Sequence, residues 1–187
     1  MKIFFPKEEL KSRAGLRRQA GLRRQAGQML IESVVAISLV VIGLLGILTL
    51  LSNSIAFNRN AANKLTATYL AAEGIEVMKS IADENYTQKK PWGAVLSNGN
   101  YEATYNSSNS SLINVTSFSS NPLIFHSGTG IYDYISGSGS VSTIFKRTIK
   151  IVNSTDNKEI TINSIVQWAD KNEAKEVNLE DHFFNWR

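Results

Sequence analysis

One uninterrupted apolar run constrains this chain more than any other feature. Residues 33–51 read SVVAISLVVIGLLGILTLL, which is 19 residues without a charged side chain. As an α-helix, with a rise of 1.5 Å per residue, the run spans about 28 Å, close to the roughly 30 Å hydrocarbon core of a bilayer. It is apolar on every side, whereas a helix on the surface of a soluble core keeps a polar face. The sequence therefore predicts a transmembrane helix at about residues 33–51.

The charges flanking this run predict how the chain is oriented. Residues 1–27 contain eight Lys or Arg and two Glu, a net charge of +6, and the rest of the chain carries −2. Basic residues beside a membrane helix stay in the cytoplasm, so we expect residues 1–27 to be a cytoplasmic leader before a single membrane-spanning helix. The basic character belongs to this leader, and no nucleic-acid binding is predicted for the folded domain.

The residues after the apolar run predict that the helix continues. Residues 52–82 contain no Pro, and five residues recur at spacings of three and four that place them on one helical face: Ala67, Leu70, Gly74, Val77 and Ile81. Polar residues occupy the other faces. We therefore predict one long helix from about Met29 to about Ala82, within a segment 28–82, with a lipid-soluble first half and an amphipathic second half. Lys89, Lys90, Pro91 and Gly93 mark its exit into a loop.

Residues 83–187 have the pattern of a β-rich extracytoplasmic domain. Apolar and polar residues alternate at Tyr101–Tyr105, Phe145–Ile151 and Ile160–Trp168, and a last strand begins at Val177. Polar stretches at 154–158 and 170–174 predict turns between the last three strands. Such alternation favours an antiparallel sheet with one buried face, which the amphipathic half of the helix would cover. The predicted fold class is α+β.

The composition offers no sign of catalysis. The chain has no Cys, so disulfides and thiolate chemistry are excluded, and its two histidines, His126 and His182, show no metal-binding spacing. The acidic stretches 156–159 and 170–173 could supply calcium ligands, but each is interrupted by Lys, which favours ordinary turns. We expect no enzyme activity, no cofactor and no metal.

The informative motif lies at the cytoplasmic end of the apolar run. The basic leader ends at Gly27, Gln28 follows it, and Glu32 is the one charged residue between there and Leu51. Glycine lets a protease approach the backbone closely, and a carboxylate at the lip of a membrane span commonly marks function. The motif resembles the processing site of type IV prepilins and pseudopilins. The resemblance implies cleavage between Gly27 and Gln28 by a prepilin peptidase, N-methylation of Gln28, and an assembly role for Glu32 in pairing with the amine of a neighbouring subunit.

Further stretches resemble minor pilins of the PilV type, which are also similar to minor pseudopilins of type II secretion. These stretches are 71–76, 145–147, 166–168 and 185–187, whereas the region of about 88–142 matches nothing in the family. The motif departs from the common pattern because Gln28 stands where Phe is usual, and Thr49 stands where many major pilins have Pro. Gly43 and Gly46 would either loosen the helix there or allow close helix packing.

Together these features predict a pilin-like fold and a structural function. The chain would be a minor pilin or pseudopilin, with prepilin peptidase, other pilin subunits, an inner-membrane assembly platform and membrane lipid as partners. The alternative is an adhesive binding module that the filament only carries. A subunit of a type II secretion pseudopilus is the other possibility.

Overall fold

A computed structural model describes residues 7–93, 96–108, 111–118, 121–170 and 173–185, and before residue 27 it describes the backbone only. The chain is α+β, and its described residues form helix α1 at Lys7–Thr87 followed by eight strands. It divides into two compact units, Met1–Phe57 and Asn58–Arg187. The predicted domain boundaries at residues 27 and 82 both lie within α1.

Helix α1 is longer at both ends than the sequence predicts. It begins at Lys7 rather than at about Met29, and it ends at Thr87 rather than at about Ala82. The added N-terminal stretch is rich in Ala, Leu, Arg and Gln, which are good helix formers, and it contains no Pro. Gly43 and Gly46 lie within unbroken α-helix, so the predicted loosening at these two residues is not seen.

The C-terminus of α1 is closed by a Schellman motif. The Lys90 N–H donates to the Asn85 carbonyl and the Lys89 N–H donates to the Tyr86 carbonyl, both at 3.0 Å. Lys89 adopts the left-handed conformation that this motif needs, with φ of 54°. The five residues beyond the predicted end therefore remain helical, and Pro91 then prevents any return to helix.

Two antiparallel sheets follow the helix. The larger has the order β2-β1-β6-β7-β8 and the smaller has the order β4-β3-β5. The strands are β1 Gly99–Glu102, β2 Ile113–Val115, β3 Ile124–His126, β4 Ile131–Asp133, β5 Ser140–Ser142, β6 Lys146–Asn153, β7 Glu159–Asp170 and β8 Glu173–Phe184. The predicted meander of the last three strands is confirmed, with the first turn at residues 154–158.

The alternation of the long strands fixes which residues meet the helix. On β6 and β7, the register pairs Arg147 with Val166 and Ile149 with Ser164, and all four side chains are buried. The predicted helical face is buried as well, with Met78 and Ala71 added to it. These residues form two core clusters, one around Val77, Ile149 and Ile162 and one around Leu70, Val166 and Trp168. The part of α1 from Asn58 onward thus covers the sheet, as the amphipathic pattern predicts.

The middle of the chain departs from the sequence-based expectations. Strand β1 ends at Glu102, and the predicted extension to Tyr105 is wrong because the chain turns there. The Ser107 N–H donates to the Thr104 carbonyl at 3.0 Å, and the Thr104 N–H donates to the Ser107 hydroxyl at 2.8 Å. Side-chain hydrogen bonds of this kind offer the backbone an alternative to the sheet ladder. The small sheet of β3, β4 and β5 has no counterpart in the prediction.

Candidate functional site

The three residues of the predicted processing motif lie on α1 in the first unit. Glu32 and Gln28 are exposed and Gly27 is half-buried. A Cβ built on Gly27 would meet nothing within 4 Å, so packing within the folded chain does not require glycine at this position. Leu30 and Val34, two residues before and after Glu32 in the sequence, are both more than half exposed.

The apolar run is exposed throughout. From Met29 to Leu51, every large apolar side chain of α1 has between 47% and 72% of its surface exposed. In water such a surface would be unstable, because burying apolar area is the main force that folds proteins. Among the described residues, one helix is long and apolar enough to cross a membrane, and it lies near the N-terminus. This helix is therefore consistent with a single membrane-spanning segment.

The hydroxyl groups within the run are satisfied by the helix itself. Ser33, Ser38 and Thr49 each donate to the carbonyl four residues earlier, at 2.8, 2.7 and 2.9 Å. An unsatisfied polar group costs several kcal/mol in hydrocarbon, so these internal hydrogen bonds suit a lipid environment. The carboxylate of Glu32 is the charged group next to the run, one residue before its start.

A buried arginine forms a second candidate site in the folded unit. Arg147 on β6 is fully buried, and its guanidinium reaches two separate elements. Nη1 donates to the Leu70 carbonyl of α1 at 2.9 Å, and Nη2 donates to the Ala103 carbonyl just after β1 at 2.6 Å. Hydrogen bonds from a charged donor are about twice as strong as neutral ones. The Arg147 side chain therefore links the helix and the end of β1 to β6 through two hydrogen bonds.

The charge of Arg147 is balanced by Glu73 of α1. Glu73 Oε1 lies 3.2 Å from Nη1, within ion-pair distance. Among the described residues, however, Glu73 Oε1 and Arg147 Nε have no hydrogen-bond partner. The contact is therefore an ion pair whose atoms are not aligned for a hydrogen bond. The Glu73 side chain is 32% exposed, so it keeps partial hydration while Arg147 has none.

Gly74 sets how close the helix comes to the sheet at this site. An ideal Cβ on Gly74 would lie 2.3 Å from Ser164 Oγ of β7 and 3.4 Å from Arg147 Cδ. Any larger residue would push α1 away from the strands and lengthen the hydrogen bond from Arg147 to the Leu70 carbonyl. Packing therefore requires glycine at position 74, whereas it does not require glycine at position 27.

Tyr134 also contacts Arg147, at its backbone carbonyl. Its hydroxyl donates to the Arg147 carbonyl at 3.1 Å. Burial raises the pKa of Tyr134 to about 12, and the nearby carboxylates of Glu102 and Glu73 add to the rise while Arg147 opposes it. The hydroxyl therefore remains a protonated donor at every physiological pH. The evident action of this cluster is to fix the helix on the sheet.

The two histidines have partners that the sequence did not reveal. His126 Nε2 lies 2.9 Å from Asp133 Oδ1 across the β3–β4 hairpin. His182 on β8 contacts Glu159 through Nδ1 and Glu180 through Nε2. Hydrogen bonds to Glu159 and then to Glu180 raise the pKa of His182. Within the described part of the chain, no group of three or more His, Cys, Asp or Glu side chains is arranged to hold a metal ion.

The acidic turn at residues 154–158 has the geometry of an ordinary turn. Asp156 Oδ1 accepts from the Ser154 hydroxyl at 2.7 Å and from the Lys158 N–H at 3.3 Å. These contacts, the Ser154 hydroxyl first, lower the pKa of Asp156. At the other acidic stretch, residues 171 and 172 lie outside the described residues.

The alternation at Phe145–Ile151 predicts that Arg147 is on a buried face of its strand, and the helical spacing predicts that Gly74 is on the buried face of the helix. Neither pattern predicts that these two residues meet. A charged residue on a buried face was the signal that a partner must lie opposite. Comparison with models of protein families, with curated proteins and with solved structures finds no match to this chain.

Proposed function

We propose that this chain is a type IV prepilin-like subunit, a minor pilin or pseudopilin that is cut after Gly27 and packed by α1 into a filament. The proposal rests on the position of the processing motif, Gly27, Gln28 and Glu32, at the start of the apolar run of α1. Gly27 has no packing role, Glu32 is the one charge near the start of an exposed apolar run, and the same helix later packs on an antiparallel sheet. A helix exposed in this way needs lipid before assembly and neighbouring helices after it.

The proposed pathway follows from the charges. The basic leader stays in the cytoplasm, which places the sheet outside the inner membrane. Prepilin peptidase removes residues 1–27, and Gln28 becomes the N-methylated terminus. The assembly platform then moves the subunit from lipid into the filament. No catalytic or cofactor role is assigned to the folded unit.

Glu32 links processing to assembly in this scheme. At the headgroups its carboxylate is hydrated, but within a bundle of helices it loses that water. A charge in hydrocarbon costs a few kcal/mol unless it is paired. The nearest cation that a filament supplies is the amine freed on Gln28 of a neighbouring subunit. Before cleavage residue 28 has an uncharged amide, so the pair cannot form.

Variants at Glu32 test this function. Glu32→Ala and Glu32→Gln should enter the membrane and be cleaved normally, yet both should be depleted at least about tenfold from sheared filaments, the effect of a lost pair worth about 1.4 kcal/mol. Glu84→Gln, an exposed carboxylate on the same helix outside the apolar run, is the matched control and should assemble normally. The comparison is cleaved protein in membranes against protein in filaments. Normal incorporation of both Glu32 variants would refute the assembly role.

An adhesive function carried by the filament is a second candidate. The region between β2 and β6 exposes several large apolar side chains, among them Phe118, Ile135 and Val141. Exposed apolar side chains mark an interaction surface where they form one patch, and the triple substitution below tests whether these three do so. Replacing all three by Ser should abolish adhesion and leave filament number unchanged if this candidate is correct. A loss of filaments would favour the purely structural role.

A further inference from the structure

Strand β8 forms a long open edge of the larger sheet. It covers Glu173–Phe184, is last in the strand order, and pairs with β7 from Asp170↔Glu173 to Glu159↔Phe184. Its 12 residues include no Pro or Gly. Proteins usually shorten, interrupt or charge such edges, because unpaired backbone groups attract further strands. The edge of β8 is charged but is neither short nor interrupted. An edge of this length therefore needs an explanation.

The register shows which backbone groups of β8 face outward. Continuing it by one pair places Asn185 opposite Lys158, and the Asn185 N–H donates to the Lys158 carbonyl at 2.7 Å. In an antiparallel ladder, directly opposite residues alternate between hydrogen-bonded and non-hydrogen-bonded pairs. Odd-numbered residues of β8 thus bond to β7. The even-numbered residues turn their N–H and C=O groups to the open side: Ala174, Glu176, Asn178, Glu180, His182 and Phe184.

The side chains give this edge two different faces. Val177 and Leu179 are half-buried and pack against the core on the helix side. Glu176 and Glu180 are exposed on the opposite side. Over Glu173–Phe184 there are four acidic residues and one Lys, a net charge of −3 with His neutral. The edge therefore presents backbone hydrogen-bonding groups, an apolar rim and a negative rim together.

We propose that the open edge of β8 binds an extended cationic segment of another protein, which adds as a sixth strand. Its backbone would pair with the even-numbered residues. Alternate Lys or Arg side chains would face Glu176 and Glu180, and the intervening apolar side chains would cover Val177 and Leu179. Strand addition of this kind takes affinity from the backbone and specificity from alternate side chains. A second copy of β8 is disfavoured as the occupant because both edges would carry −3.

The probe is an eleven-residue peptide that alternates Lys and Val, labelled with a fluorophore, and the receptor is the full chain in a zwitterionic detergent. Binding is followed by fluorescence anisotropy. One control peptide has Glu in place of Lys. A second keeps every Lys side chain but carries an N-methyl group on each Lys backbone nitrogen, the nitrogens that would face β8, so it retains the charge and cannot pair as a strand. We expect the first peptide to bind and both controls to bind at least about tenfold more weakly.

Two variants of the chain locate the site. Asn178→Pro removes an outward N–H while leaving the ladder to β7 intact, since Pro is tolerated where the N–H faces away from the sheet. It should weaken binding about tenfold, the effect of one lost hydrogen bond and a steric clash with the added strand. Glu176→Gln should weaken binding about threefold, and more at low salt than at high salt. Glu84→Gln on α1 is the matched charge control and should bind as the wild type does.

Several results would overturn the proposal. If the N-methylated peptide binds as well as the parent, the attraction is general charge and not strand addition. Binding that is undetectable at about 1 mM would also refute it. If the chain dimerises and Asn178→Pro abolishes the dimer, the occupant is a second copy and the proposed cationic partner is wrong. Should Asn178→Pro fail to fold, the N-methylated peptide and Glu176→Gln still decide the outcome.

Discussion

Replacing Gly74 by alanine tests the closest contact between α1 and the sheet. The new methyl group would lie 2.3 Å from Ser164 Oγ and 3.3 Å from Ser164 Cβ, both within a fully buried site. Overpacking of a core costs about 1–3 kcal/mol, and such a short contact belongs in the upper part of that range. Alanine also gains about 1 kcal/mol over glycine in helix propensity. The net result should be a loss of about 1–2 kcal/mol in the free energy of unfolding.

A second substitution separates the clash from other effects. Ser164 Oγ has no hydrogen-bond partner among the described residues, so Ser164→Ala should itself be neutral or slightly stabilising. In that background Gly74→Ala loses its worst contact, and the helix-propensity gain should bring its cost close to zero. The four proteins, each as residues 53–187, are compared by urea unfolding. A coupling energy of about 1 kcal/mol or more is expected, whereas additive effects would refute the close approach of the helix.

The remaining predictions concern the folded unit. The fragment 53–187 should be soluble and monomeric by size-exclusion chromatography, whereas 83–187 lacks the helical cover of the sheet and should aggregate; equal stability of the two would contradict the helix-on-sheet packing. Arg147→Met removes both charged hydrogen bonds and should cost about 3–5 kcal/mol in urea unfolding, with Lys146→Met as the exposed control on the same strand. Because the folded-state pKa of His182 is raised, its stabilisation is present below about pH 6.5 and is lost as the pH rises through the folded-state value. His182→Gln should therefore lower the unfolding midpoint at about pH 5.5 more than at about pH 8, and an equal effect at both would contradict the contacts with the two glutamates.

The sequence predicts the long elements well because their periodicity is set by burial. The stripe from Ala67 to Ile81 packs on the alternating buried residues of β6 and β7, as expected. The expectation of one buried face is only partly met, because Thr148, Asn163 and Ile165 on the other face of these strands are buried as well. The sequence predicts the end of α1 five residues too early. The Schellman motif that ends the helix needs a left-handed residue, here Lys89, and Lys rarely adopts that conformation, so the sequence gives no sign of it.

The short strands β3, β4 and β5 could not be predicted, for a different reason. The strands of the small sheet are three residues each, too short for alternation to be distinguished from loop sequence. The site around Arg147 joins residues as far apart as Leu70 and Arg147, and nothing in local sequence specifies such a contact. The predicted roles of Gly27, Gln28 and Glu32 remain predictions, since they concern events outside the folded chain.

The most direct test of the proposed function is the mass of the N-terminal peptide of this chain in sheared filaments. Processing after Gly27 predicts a peptide that begins at Gln28 and carries the added mass of one methyl group on its amine. Cells without prepilin peptidase should retain the full leader, and a bulky residue in place of Gly27, such as Phe, should have the same effect. The absence of this chain from the filaments, an intact leader within them, or a first residue other than Gln28 would contradict the proposal.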